Sequence, residues 1–251
     1  MTMNTLLAAL MFFTRLPLWR IRQVPSESFK SVVNAWPFVG WLTGGVMVGI
    51  YWLTIPLLPA LTAVVLTLCG RLLLTGALHE DGLADFCDGF GGGTDRERTL
   101  AIMKDSHIGS YGVIGLICYF LLFASMIGSL PFQLACIALI SGDTWAKFVA
   151  SNLVNLLPYA RKVEESKAGV VYNRIRPLHF VIALAGGLCW GIWLLPDYWL
   201  AFLLPVGVFL LLVALMRKRL QGYTGDCCGA TFLLCELAFW AGICATYYGA
   251  V

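Results

Sequence analysis

Long apolar runs, broken by short polar joints, dominate this chain from end to end. Seven of them approach the roughly 20 apolar residues that a helix needs to cross a bilayer: Pro37–Leu58, Ala60–Leu78, Gly109–Leu130, Phe132–Leu157, Leu178–Leu195, Trp199–Met216 and Ala230–Tyr248. Pro-containing joints such as Ile55-Pro56-Leu57-Leu58-Pro59 and Leu195-Pro196-Asp197 separate neighbours. Met3–Phe13 is apolar but too short to cross, which predicts an interfacial or re-entrant segment. Lipid offers no partner to an unpaired backbone group, so helix is the expected form throughout. The pattern predicts an all-α, polytopic integral membrane protein of about seven transmembrane helices, with residues 1–251 as one transmembrane domain.

Composition agrees. Of 251 residues, 59% are hydrophobic and only 12% are charged, about half the share in a soluble domain. That excludes a disordered chain, a nucleic-acid-binding arm and an ordinary water-soluble enzyme, so no nucleic-acid partner is expected; a lipid bilayer is, and a homo-oligomer stays open. The nine cysteines show no zinc-site spacing and read as small apolar fillers.

The distribution of the bases fixes an orientation. Arg15, Arg20, Arg22 and Lys30 precede the first span, and Arg96, Arg98 and Lys104 lie between the second and third. Arg161, Lys162, Lys167, Arg174 and Arg176 lie between the fourth and fifth, and Arg217, Lys218 and Arg219 between the sixth and seventh. These are 15 of the 17 Lys and Arg residues, all on one side of a seven-span arrangement. The positive-inside rule then puts the N-terminus in the cytoplasm.

The acids are as uneven: His79 to Asp105 holds seven of the 14. The segment 79–108 is expected at the cytoplasmic rim and opens His79-Glu80-Asp81-Gly82-Leu83-Ala84-Asp85-Phe86-Cys87-Asp88-Gly89. Asp81, Asp85 and Asp88 recur at i, i+4 and i+7, one face of a helix. Carboxylates so placed repel unless a cation lies among them, and hard oxygen donors without thiolate suit Mg²⁺ or Mn²⁺. Glu80 adds a further oxygen or a general base, and Glu80 or Asp88 is the candidate for accepting a proton. Arg96 and Lys104 follow closely enough to hold phosphate charge, and His107 is a candidate substrate contact. The competing reading is a solvated helix face.

Charges within the spans need partners. Asp143 and Lys147, at i and i+4, can neutralise each other. Arg71 and Glu236 fall at similar depths, so either they border one polar cavity beneath the acidic motif or Arg71 snorkels alone to the rim.

From His79 to Gly93, and on through Asp95-Arg96-Glu97-Arg98-Thr99-Leu100-Ala101-Ile102-Met103-Lys104-Asp105-Ser106-His107-Ile108-Gly109, the chain resembles the cobalamin synthase family, the adenosylcobinamide-GDP ribazoletransferases. The likeness returns at Phe13-Thr14-Arg15-Leu16-Pro17, at Gly222-Tyr223-Thr224-Gly225-Asp226 and at Glu236. The resemblance implies a Mg²⁺-dependent enzyme of the cytoplasmic (inner) membrane that joins adenosylcobinamide-GDP to α-ribazole or its 5′-phosphate and releases GMP. Asp81, Asp85 and Asp88 would be metal-binding carboxylates, and Arg15, His79, Lys104, Asp105, Asp226 and Glu236 match family motif positions. Ser141-Gly142 stands where many members carry Ser-Arg, and Cys227-Cys228 where many carry Thr-Leu. The alternatives are an enzyme like the CDP-alcohol phosphatidyltransferases, whose motif places an Arg after Asp-Gly-x-x-Ala where this chain has Asp85, and a divalent-cation or solute permease. A permease would place its acids at the bilayer midplane.

Overall fold

A computed structural model describes residues 1–161 and 171–249. Its helices, in chain order, are α1 (Met3–Phe13), α2 (Trp36–Thr54), α3 (Ala60–Thr75), α4 (Leu78–Gly92), α5 (Arg96–Lys104), α6 (Ser110–Ser129), α7 (Phe132–Ser151), the single turn α8 (Leu153–Leu156), α9 (Pro177–Leu188), α10 (Trp199–Arg219) and α11 (Gly225–Gly249). Among the described residues no strand forms; Tyr159 and Tyr223 make one isolated bridge. The all-α expectation holds.

Five helical stretches are long and apolar enough to cross a membrane, and a sixth is gained if the bent pair α3–α4 counts as one span. Two of the seven predicted spans differ from expectation. The second stops at Thr75 rather than Leu78, because Gly76 and then Ala77 take left-handed backbone angles (φ 67° and 56°) and α4 departs at 93° to α3. Gly76 meets that demand without strain, and a Cβ there would strike the Arg15 guanidinium. The fifth shrinks to α9, whose 12 residues rise about 18 Å, short of the ~30 Å apolar layer. Gly186 and Gly187 close to its end and Gly191 just beyond weaken its continuation.

α11 runs through the middle of the bundle, against α10, α4, α7 and α6, while α2 lies along α7. The faces that α3, α6 and α10 turn outward expose Leu73, Leu121 and Leu211, as lipid-facing surfaces do. α1 does not cross; it buries Ala8, Ala9 and Phe13 and packs on the 3-10 stretch Ser26–Ala35.

The basic loops do meet at one end of the bundle, and they interlock. Arg96 donates to the carbonyls of Leu220 (2.8 Å) and Ala160 (2.6 Å), Arg161 to Leu100 (3.0 Å) and Arg217 to Leu156 (3.4 Å). Several of these basic side chains tie the loops together. Lys162 and Lys167 lie outside the described residues.

Candidate active site

The acidic string is a helix, as its i, i+4, i+7 spacing predicts, and its carboxylates part company. α4 buries His79, Glu80 and Asp88, leaves Asp85 half-buried and exposes Asp81. Asp88 accepts the backbone N–H of Gly109 (2.7 Å) and of Gly112 (2.8 Å), so it caps the start of α6, whose own cap residue is a glycine. Glu80 turns inward to Arg71 (3.2 Å). The expected set of Glu80, Asp81, Asp85 and Asp88 around one metal is therefore not assembled: among the described residues no three His, Cys, Asp or Glu side chains converge as a metal site. Asp88 spends both oxygens on the fold and Glu80 one of its two.

Arg71 and Glu236, expected to face each other across a cavity, are in direct contact. Arg71 donates through Nη1 to both carboxylate oxygens of Glu236 (2.8 and 2.7 Å) and through Nη2 to Tyr119, whose hydroxyl donates to Glu236 at 2.8 Å. Both charged side chains are fully buried. The cluster joins α3, α4, α6 and α11. Nearby, Lys147 pairs with Asp143 as the i, i+4 spacing predicts, and Thr43 donates to Asp143 (2.9 Å).

What opens to the outside is a cavity of about 270 Å³ between α1, the start of α2, α4, the 159–161 segment and the start of α11. Its buried wall is aromatic. Phe13 stacks on Trp36 (centroids 4.9 Å, planes 9° apart), and His79 lies 5.7 Å from Trp36 and 6.0 Å from Phe13. Its accessible edge is polar: Asp81, Asp226 and Arg161. Glycines let α4 and α11 approach closely enough to set Asp81 beside Asp226. A Cβ on Gly82 would lie 3.0 Å from the Asp226 carbonyl oxygen, and one on Gly229 would lie 3.1 Å from that of His79. Arg161 is placed by the bridge between segments: Ala160 N–H donates to Tyr223 (2.8 Å) and Tyr223 N–H to Pro158 (2.9 Å).

Three polar atoms on the buried wall have no partner, both ring nitrogens of His79 and the indole nitrogen of Trp36. Each such group costs about 1–3 kcal/mol when left unsatisfied.

The remaining predicted site residues lie elsewhere. Arg15 is exposed against the Gly76 turn and Lys104 is exposed at the end of α5. Arg96 donates to two carbonyls, those of Leu220 and Ala160. Asp105 and His107 pair with each other (2.7 Å) on the surface. The N–H of His107, and then its ring, hold the Asp105 carboxyl below the usual carboxylate range. Sequence reasoning missed Trp36, Tyr159, Arg161 and Tyr172 of the cavity wall. Trp36 looks like any membrane aromatic, and Arg161 was indistinguishable from the bases that set topology.

Mg²⁺ is commonly held by one or two carboxylates together with substrate phosphates rather than by an all-protein cage. Asp81 and Asp226, hard oxygen donors on one cavity edge beside Arg161, fit that pattern.

Helices and cavity together define a polytopic membrane protein with an aromatic pocket edged by carboxylates and an arginine. The sequence model for cobalamin-5-phosphate synthase matches residues 5–244. A protein of Leptothrix cholodnii named adenosylcobinamide-GDP ribazoletransferase is 40% identical over 245 residues, 93% of this chain and 92% of its own. Proteins of the same name from Shewanella frigidimarina (34%; 97% and 95% covered) and Clostridium novyi (33%; 94% and 95%) are similar over comparable lengths. No solved structure matches. The chain belongs to the cobalamin-5-phosphate synthase family, and it is a transferase of cobalamin biosynthesis.

Proposed function

We infer that residues 1–251 form one catalytic domain that transfers the cobinamide phosphate of adenosylcobinamide-GDP to α-ribazole or its 5′-phosphate and releases GMP. The ribazole hydroxyl oxygen bonds to the phosphorus that carries cobinamide, the bond from that phosphorus to the oxygen bridging it to GMP breaks, and the hydroxyl proton passes to a carboxylate at the cavity edge. The observation that carries this reading is that Asp81, Asp226 and Arg161 all line one aromatic cavity. Reactions of this kind need positioning and charge neutralisation more than covalent chemistry from the protein. Arg161 offers a guanidinium to phosphate oxygens. Asp81 and Asp226 would hold Mg²⁺, which when bound supplies Lewis-acid neutralisation of phosphate charge.

The positive-inside rule supports a cytoplasmic position for this mouth and for the N-terminus, in the inner membrane. The test is incubation of purified, detergent-solubilised protein with both substrates. The expected result is cobalamin (or its phosphate) and GMP in equal yield, dependent on Mg²⁺ and on both substrates. Folded protein that forms neither product under conditions where a relative turns over would overturn the reading.

A further inference from the structure

Residues 171–176 bring Tyr172 to the cavity, and two backbone tethers hold it there. The N–H of Asn173 donates to the Lys30 carbonyl (2.7 Å), and the N–H of Ile175 to the side-chain oxygen of Asn155 (2.9 Å). The Tyr172 ring meets Phe12 edge to face, with centroids 6.0 Å apart. At the other end its hydroxyl is within electrostatic reach of Cys228, Tyr223, Tyr159 and Asp226, so the side chain runs from the apolar wall to the carboxylate edge. No described residue hydrogen-bonds this hydroxyl, and unlike the nitrogens of Trp36 and His79 its oxygen is not sealed off from the cavity. Burial, and then those four neighbours, hold the phenol well above its usual range. It therefore stays a neutral O–H that can donate.

We propose that Tyr172 is a substrate contact of the transfer: its hydroxyl donates to a non-bridging oxygen of the diphosphate in adenosylcobinamide-GDP, alongside Arg161. This deepens the reading above and rests on it for the identity of the phosphate. The chemistry of the cavity edge selects that partner. A ribose hydroxyl can donate to Asp81 or Asp226 directly and needs no further donor from the protein. Anionic phosphate oxygens only accept, and carboxylates repel them unless a cation or a donor comes between. Arg161 supplies a charged donor, and Tyr172 a neutral one that adds no charge on the Asp226 side. A hydrogen bond to an ionised acceptor is about twice as strong as a neutral one, so the loss of one phenol is measurable.

The test compares full-length wild type and Tyr172→Phe in detergent, by steady-state kinetics for each substrate and by the Kd of GDP. The variant keeps the ring against Phe12 and removes only the hydroxyl, so its unfolding temperature is expected to stay unchanged. Its kcat/KM for adenosylcobinamide-GDP is expected to fall about tenfold or more, with KM for α-ribazole unaltered. Wild-type kinetics in the variant, or a rise in the α-ribazole KM alone, overturns the contact but not the transferase. A wild type that binds GDP yet forms no product overturns the transferase; the contact then stands if Tyr172→Phe weakens GDP binding and falls if it does not. Should Tyr172→Phe misfold, Tyr172→trifluorotyrosine decides, because it keeps the shape and makes the phenol more acidic. It is expected to lose kcat at an alkaline pH where wild type still turns over, and superimposable pH profiles reject the contact.

Discussion

Arg71 and Glu236 meet 2.7 Å apart with no exposed surface on either side chain, although 165 positions separate them in the chain. Arg71 sits one turn before the 93° break between α3 and α4, and through Glu80 it also grips the far side of that break. The pair thus fixes the angle at which α4 leaves its span and carries Asp81 to the cavity.

Removing one partner of a buried pair strands the other charge, at a cost of about 3–5 kcal/mol. Arg71→Met is therefore expected to lose that much stability, and the double variant Arg71→Met, Glu236→Gln to lose clearly less than the sum of the singles. Thermal unfolding in detergent checks it. Additivity of the two changes would show that the contact carries no coupling.

Asp88 separates structure from chemistry. Asn keeps only one of the two oxygens that accept from Gly109 and Gly112, whereas Ala loses both, at about 1 kcal/mol or more. Asp88→Asn is expected to lower the unfolding temperature less than Asp88→Ala and, once folded, to keep most turnover. Abolished turnover in a stable Asp88→Asn protein would return this residue to the metal.

Arg96 is held by two carbonyls of different loops. Hydrogen bonds from a charged donor contribute about 1.5–3 kcal/mol each when buried, and this side chain is half-buried. Arg96→Gln is expected to destabilise by about 2 kcal/mol without raising KM for either substrate. A KM increase with unchanged stability would make it a substrate contact.

Asp105 titrates below an ordinary aspartate because its carboxylate accepts from His107. A carboxyl depressed in the folded state stabilises it above the unfolded pKa, and that contribution fades as pH falls through the folded value. A carbon-detected NMR titration is expected to show Asp105 below the free value and to return only part of the way in His107→Ala, which removes the ring but keeps the backbone N–H that contributes most. An unchanged titration in that variant would remove the His107 ring as a contributor.

The helical pattern and the segregation of bases were legible because both are one-dimensional: apolar length and charge sign read directly along the chain. The i, i+4 spacing likewise gave Lys147 with Asp143. Which carboxylates share a site was not legible. Asp81, Asp85 and Asp88 share a helix face, but that face descends from solvent into the bundle, so its members meet different neighbours. Asp226 becomes Asp81's companion only through the glycine contacts of α4 with α11, a packing fact with no sequence period. Arg71 and Glu236 were matched by depth, yet contact rather than a shared cavity follows only from the helix arrangement.

The central claim is that Asp81 and Asp226, not the whole acidic string, form the reacting edge. Its most direct test is formation of cobalamin and GMP by wild type and by Asp81→Asn and Asp226→Asn, each confirmed folded in detergent. Wild type is expected to give both products in equal yield, and each variant to fall at least a hundredfold. Wild-type turnover in either folded variant would contradict the account.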